Sequence, residues 1–171
     1  MKNRLRKSFV NAAECKHGGK VQEAKRRLGA EPLDFSANIN PLGSPPLKEL
    51  VSRELKQVGH YPDSSYQGFC RAASRFVQVD PGCIVPGNGS SELIRIFAEA
   101  VLEEGDLAII PTPTFGEYEN QSQLAGGRTE RLAIGKDGTP LLRDSDLHRA
   151  KALFLCNPNN PTGRLLSQNQ V

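Results

Sequence analysis

The sequence predicts an α/β domain with a mostly parallel sheet, on two observations. Short apolar runs alternate along the chain with amphipathic stretches of helical period. Three of those runs stop in loops rich in Gly, Pro and Asn, at residues 86–89, 111–114 and 157–163. In sheets of this class ligands sit beyond the carboxyl ends of the strands, so three such loops on one edge frame a site.

Taken in order, residues 1–16 read as a loose lead-in with a basic start at Lys2, Arg4, Arg6 and Lys7. Val21–Leu28 predicts a short helix ended by Gly29, and Leu33–Phe35 a brief extended segment. Asn38-Ile39-Asn40-Pro41-Leu42-Gly43 dictates turns. Pro46 suits a first helical position, and the apolar spacing carries a helix over Leu47–Val58. Tyr66–Phe76 predicts a helix and Cys83–Val85 a short strand. From Ser90, the stripe of Leu93, Ile94, Phe97, Val101 and Leu102 predicts a helix that Gly105 stops. Beyond it come a buried strand over Leu107–Ile110, a helix over Phe115–Leu124 and a strand over Glu130–Ile134. A turn at Lys136–Gly138, a helix over Asp144–Arg149 and a strand over Leu153–Cys156 complete the reading.

Bulk composition narrows the function classes. The 171 residues hold 37% hydrophobic and 24% charged side chains with a net charge of +3, which is ordinary globular composition. No apolar run approaches the ~18 residues of a membrane span, and no aromatic platform accompanies the basic start, so neither membrane nor nucleic acid is expected as a partner. The four cysteines (Cys15, Cys70, Cys83 and Cys156) have no C-x-x-C spacing and do not cluster with His17, His60 or His148. Reduced thiols in a cytoplasmic protein, without a metal site, are expected.

Each loop has its own chemistry. In Gly87-Asn88-Gly89-Ser90-Ser91-Glu92 the glycines let the backbone turn tightly into a helix start, where free N–H groups favour a phosphate. The same residues read equally as a plain glycine turn with a serine cap. It is neither a Walker loop nor a dinucleotide fingerprint. Phe115, just past a strand, either stacks on a flat heterocycle or caps the core. In Asn157-Pro158-Asn159-Asn160-Pro161-Thr162-Gly163 two prolines stiffen a loop that holds asparagine amides at defined places. Three asparagines there exceed what a turn needs.

Together and in this order, from about His17 to the C-terminus, these motifs resemble fold-type-I pyridoxal-phosphate enzymes. The resemblance implies the front half of that family's large domain, a mixed, mostly parallel sheet flanked by helices, without the small C-terminal domain. Residues 1–45 would form an arm with substrate-side loops, and 46–171 the partial cofactor domain. It assigns the phosphate to Gly89, Ser90 and Ser91, the ring to Phe115 and the cofactor's 3′-oxygen to Asn160. Tyr61 would reach the phosphate of a partner subunit's cofactor, which implies a homodimer. His17-Gly18-Gly19 followed by the Asp34–Gly43 stretch looks like threonine-phosphate decarboxylases, which make aminopropanol phosphate for cobalamin biosynthesis. By that resemblance His17, Gly18, Asn38 and Asn160 hold a small phosphorylated amino acid. Histidinol-phosphate aminotransferases share most of these motifs and are the alternative.

The family's catalytic lysine lies in a Ser/Thr-Lys segment beyond the Asn-Pro-Thr-Gly loop. None of the nine lysines (Lys2, Lys7, Lys16, Lys20, Lys25, Lys48, Lys56, Lys136 and Lys151) lies in such a segment, so no residue is assigned as the catalytic nucleophile. The resemblance therefore implies a truncated or inactive fragment, or a non-catalytic remnant that pairs with an intact paralogue.

Overall fold

The computed structural model describes residues 6–11 and 18–171. His17 and Cys15 lie outside the described residues. The chain divides into two compact units, one formed by Met1–Cys15 with Gly87–Val171 and the other by Lys16–Pro86.

In the first unit, β1 (Leu107–Thr112), β2 (Arg128–Ala133) and β3 (Ala152–Leu153) form a parallel sheet of order β2-β1-β3. Ala108, Ile109, Ile110 and Pro111 are all buried, as expected of a central strand covered on both faces. β2 pairs along all of β1, from Leu107↔Arg128 to Thr112↔Ala133, whereas β3 pairs only through Ala108↔Ala152 and Ile109↔Leu153. Helices α5 (Ser90–Val101), α6 (Glu117–Ala125) and α7 (Asp144–Arg149) belong to the same unit, as does the short α1 (Lys7–Asn11). One face of the sheet carries the core: Ala98, Leu102, Ala108, Ile110, Ala125, Ala152 and Phe154, with Ile94, Val101 and Tyr118 packed against it. Burying a side chain such as Ile110 stabilises by about 1.5–3 kcal/mol. Phe154 is the hub, edge-on to Phe97 at 5.5 Å and stacked on Tyr118 at 5.1 Å.

α7 is held by charge. The fully buried Asp146 accepts bonds from the Arg143 backbone and guanidinium and from Arg149, which also grips Glu130 of β2. The Arg143 side chain, then its backbone N–H, then Arg149 hold the Asp146 carboxyl well below its ordinary pKa.

The second unit contains α2 (Val21–Leu28), α3 (Lys48–Glu54), a 3₁₀ turn at Leu55–Gln57, α4 (Gln67–Val77) and another at Pro81–Cys83. Gly29 ends α2 in the left-handed conformation with its N–H on Lys25 O, the stop that the sequence signals.

Most predicted elements are present within a residue or two. Leu33–Phe35 and Cys83–Val85, expected to be extended, pair with no strand among the described residues; Cys83 belongs to the 3₁₀ turn, which Asp80 caps through Gly82 N–H. A short apolar run becomes a strand only where a neighbour offers ladder bonds, and periodicity does not report the neighbour. Leu153–Cys156 contributes less strand than expected, because ladder pairing stops at Leu153 with one further bond, Phe154 N–H to Ile109 O. The lead-in contains α1, which the loose reading of residues 1–16 missed.

Candidate functional site

The first unit brings its predicted site residues to one edge. β1 and β3 run parallel, so the loops after them, carrying Phe115 and Asn160, leave from the same carboxyl edge. α5 feeds β1 through the short connection 102–106, and its Leu102 end shares the core with Ala108. Phe97, midway along α5, already touches Phe154 just past β3. The helix start at Ser90, about 10 Å further up the axis, therefore lies at that carboxyl edge too.

The helix start has no side-chain cap. Gly89 precedes it at φ 86°, a conformation L side chains avoid, and supplies no capping oxygen. The first-turn N–H groups thus have no side-chain acceptor, and the hydroxyls of Ser90 and Ser91 are exposed and make no hydrogen bond among the described residues. Glu92 ties the glycine loop to the helix. Its Oε2 accepts from the Asn88 N–H at 2.6 Å and from Asn88 Nδ2 at 3.0 Å, which lashes the glycine loop back onto α5. Those bonds, the backbone one foremost, lower its pKa, so the carboxylate stays ionised but occupied. A Cβ on Gly87 would lie 2.7 Å from Leu93 Cδ2, so any larger residue there would push the Leu93 side chain aside.

The asparagine loop separates into two roles. Asn157 bonds Leu166 in both directions, Nδ2 to O at 3.1 Å and Leu166 N–H to Oδ1 at 2.8 Å. Asn159 Nδ2 donates to Pro113 O at 2.9 Å and to Thr162 Oγ1 at 2.8 Å, while its Oδ1 accepts from Thr114 Oγ1 at 2.8 Å. Asn160 differs: its backbone N–H reaches Cys156 Sγ at 3.4 Å, but its carboxamide makes no hydrogen bond among the described residues. Two of the three asparagines spend their amides on protein partners, and the third does not among the described residues.

Phe115 is half-buried and edge-on to Tyr118 at 5.9 Å. It belongs to the aromatic cluster. Burial first, then a hydrogen bond with Cys156, pushes the Tyr118 hydroxyl well above its ordinary pKa, so it remains a neutral hydrogen-bonding group.

The remaining predicted residues belong to the second unit. Gly18 lies where a Cβ would meet Ser36 O at 1.8 Å, and Gly19 N–H donates to Ser36 Oγ at 3.0 Å. Ser36 in turn donates to Asp34 Oδ1 through N–H and hydroxyl, at 2.8 and 2.6 Å. The Gly-Gly segment and the Asp34–Ser36 segment are therefore one local structure. Asn38 and Tyr61 are exposed. Sequence reasoning gave Glu92 no role beyond the helix surface and did not single out Thr114 or Asn159; the one signal for them was polar side chains next to Pro and Gly in otherwise stiff loops.

A family model described as aminotransferase class I and II matches residues 30–171. The chain belongs to the aminotransferase class I and II family. It is 38% identical over 157 residues to the threonine-phosphate decarboxylase of Salmonella typhimurium, across 87% of this chain and 43% of that protein. It is 33% identical over 149 residues to the histidinol-phosphate aminotransferase of Ruminiclostridium cellulolyticum, across 81% of this chain and 42% of that protein. The solved histidinol-phosphate aminotransferase of Sinorhizobium meliloti, in complex with pyridoxal-5′-phosphate, shares the fold. Its TM-score is 0.82 at 19% identity, over 98% of this chain and 46% of that one. The chain thus spans less than half the length of these relatives. The fold-type-I expectation holds, and pyridoxal phosphate is the cofactor of this aminotransferase family. The residues present fit that group: uncapped N–H groups and free hydroxyls for a phosphate, a half-exposed ring, and an unspent amide.

Proposed function

We propose that this aminotransferase-family chain holds pyridoxal phosphate at the carboxyl edge of its sheet and belongs to an enzyme acting on a small phosphorylated amino compound. The unspent carboxamide of Asn160, beside two asparagines whose amides are both used, carries the reading. The start of α5 with Ser90 and Ser91 receives the cofactor's phosphate, Phe115 lies against its ring, and Asn160 donates to its 3′-oxygen. When bound, the cofactor supplies an electron sink for bond cleavage at the substrate's α-carbon. The chain's own part is to fix the ring's orientation and to neutralise the phosphate with N–H dipoles.

Within that class we favour decarboxylation of L-threonine O-3-phosphate. The higher identity to the decarboxylase, 38% against 33%, supports it, as does the Gly18–Ser36 contact that makes the front motifs one structure. By the same resemblance His17, Gly18 and Asn38 are assigned to the substrate, and Tyr61 to a second subunit in a cytoplasmic homodimer. The division into an arm over 1–45 and a cofactor domain over 46–171 is part of this reading. Histidinol-phosphate transamination is the second reading, favoured by the relatives bearing that name.

Titration with pyridoxal phosphate, followed by absorbance and calorimetry, tests the site. Saturable binding is expected, with Ser90→Ala/Ser91→Ala weakening pyridoxal phosphate and inorganic phosphate alike by about tenfold or more. Asn160→Ala should weaken only the former. Absence of saturable binding would remove the cofactor reading. In a protein carrying the family's lysine, carbon dioxide release from phosphothreonine without amino transfer to a 2-oxo acid separates the two reactions.

A further inference from the structure

We propose that Asn159, bonded to Thr114, is the positioning residue that sets the separation between Phe115 and Asn160. The inference rests on the cofactor reading for the meaning of those two neighbours, but the clamp itself is geometric. Every polar atom of Asn159 is used. Its backbone N–H donates to Arg164 O and its carbonyl accepts from Gly163 N–H, both at 2.7 Å. Its carboxamide makes three further bonds, to Pro113 O, Thr162 Oγ1 and Thr114 Oγ1. Turning the amide over would set its oxygen against the Pro113 carbonyl, so the donors fix its orientation.

Two of these bonds span 45 and 46 residues and join the loop after β1 to the loop after β3. They are placed where the sheet no longer helps. Ladder pairing between β1 and β3 ends at Ile109↔Leu153, and Phe154 N–H to Ile109 O is its last backbone bond. Beyond that point Asn159 links the segments that follow the two strands. Thr114 directly precedes Phe115, and Asn159 directly precedes Asn160, so the clamp is one residue from each. Asn157 cannot substitute, because its amide is committed to Leu166. The start of α5 is untouched by these bonds.

The clamp should therefore govern contacts to the ring and not contacts to the phosphate. Thr114→Val removes the hydroxyl at nearly constant shape; Thr114→Ser restores it. Asn159→Asp keeps an acceptor for Thr114 but turns an oxygen toward the Pro113 carbonyl. Thr114→Val is expected to weaken pyridoxal phosphate about tenfold and Asn159→Asp more, with inorganic phosphate affinity unchanged and Thr114→Ser close to the parent. Equal weakening of both ligands in Thr114→Val would show a merely structural role and overturn the inference, as would unchanged pyridoxal phosphate affinity. A second measurement needs no cofactor. In nitrogen-15 spectra, Thr114→Val should displace the Phe115 backbone and Asn160 side-chain amide signals and leave Ser90 and Ser91 in place. Unmoved Phe115 and Asn160 signals would overturn the clamp, whereas displaced signals in a chain that binds no pyridoxal phosphate would sink the cofactor reading and leave the clamp standing.

Discussion

Residues 87–171 and residues 18–86 carry similar local signals and bury very different amounts of surface. Every buried apolar side chain among the described residues lies between Ala98 and Leu166. In 18–86 none is buried, and Phe35, Leu42 and Phe76 are 94%, 92% and 89% exposed. Yet α4 has as clear an apolar stripe as α5, and α2 as clear a glycine stop as α6. Helix signals are written locally, in spacing and caps. Burial needs a second packed element to close on, and among the described residues the helices of the later segment have the sheet for that.

Hydrogen exchange offers the largest contrast. Amides of β1 should exchange on the order of 10³-fold more slowly than those of α3 and α4, because few buried contacts oppose local opening of the latter. Comparable protection in both would break the comparison.

Ile109→Ala comes next. Ile109 is 1% exposed, so truncation should cost about 2–5 kcal/mol in denaturant melts, while Phe35→Ala should stay within about 0.5 kcal/mol. A large loss from Phe35→Ala would mean that residue packs in a way its exposure does not show.

Gly18→Ala sharpens the comparison within the coreless segment. The added Cβ cannot coexist with Ser36 O at 1.8 Å, so the Gly19 N–H to Ser36 Oγ bond should be lost, a local effect of about 1 kcal/mol. Spectral changes should be confined to residues near Gly19 and Ser36, with β1 protection unaltered.

A further contrast is in pH. The folded-state pKa of Asp146 lies below its unfolded value of about 3.9, so its stabilisation is full above that pH and fades as pH falls toward the folded value. Thermal melts followed at β1 should be flat from about pH 7 to 5 and drop below about pH 4. Asp146→Asn should lower the neutral-pH melt and flatten that acid slope. An unchanged slope would mean other carboxylates, such as Glu130 or Glu92, set the acid limit.

The candidate loops were legible in the residues, because a helix start, a strand end and a proline-stiffened loop each leave a compositional mark; the roles of Gly89, Ser90, Ser91, Phe115 and Asn160 came only from the family resemblance. The division of labour within Asn157-Pro158-Asn159-Asn160 was not legible, since three identical side chains differ only in what stands opposite them. For Asn159 the partners are Thr114 and Pro113, some 45 residues away.

The sequence by itself determined the helices, the central strand and the chemistry available at each loop, because caps, periodicity and glycine conformations act within a few residues. The tertiary structure alone decided that Leu33–Phe35 forms no strand, that Asp146 is buried among arginines, and that Asn160 keeps its amide while Asn159 spends its own. Each of those outcomes depends on a partner distant in the chain, and hydrogen-bond satisfaction is settled only when that partner arrives.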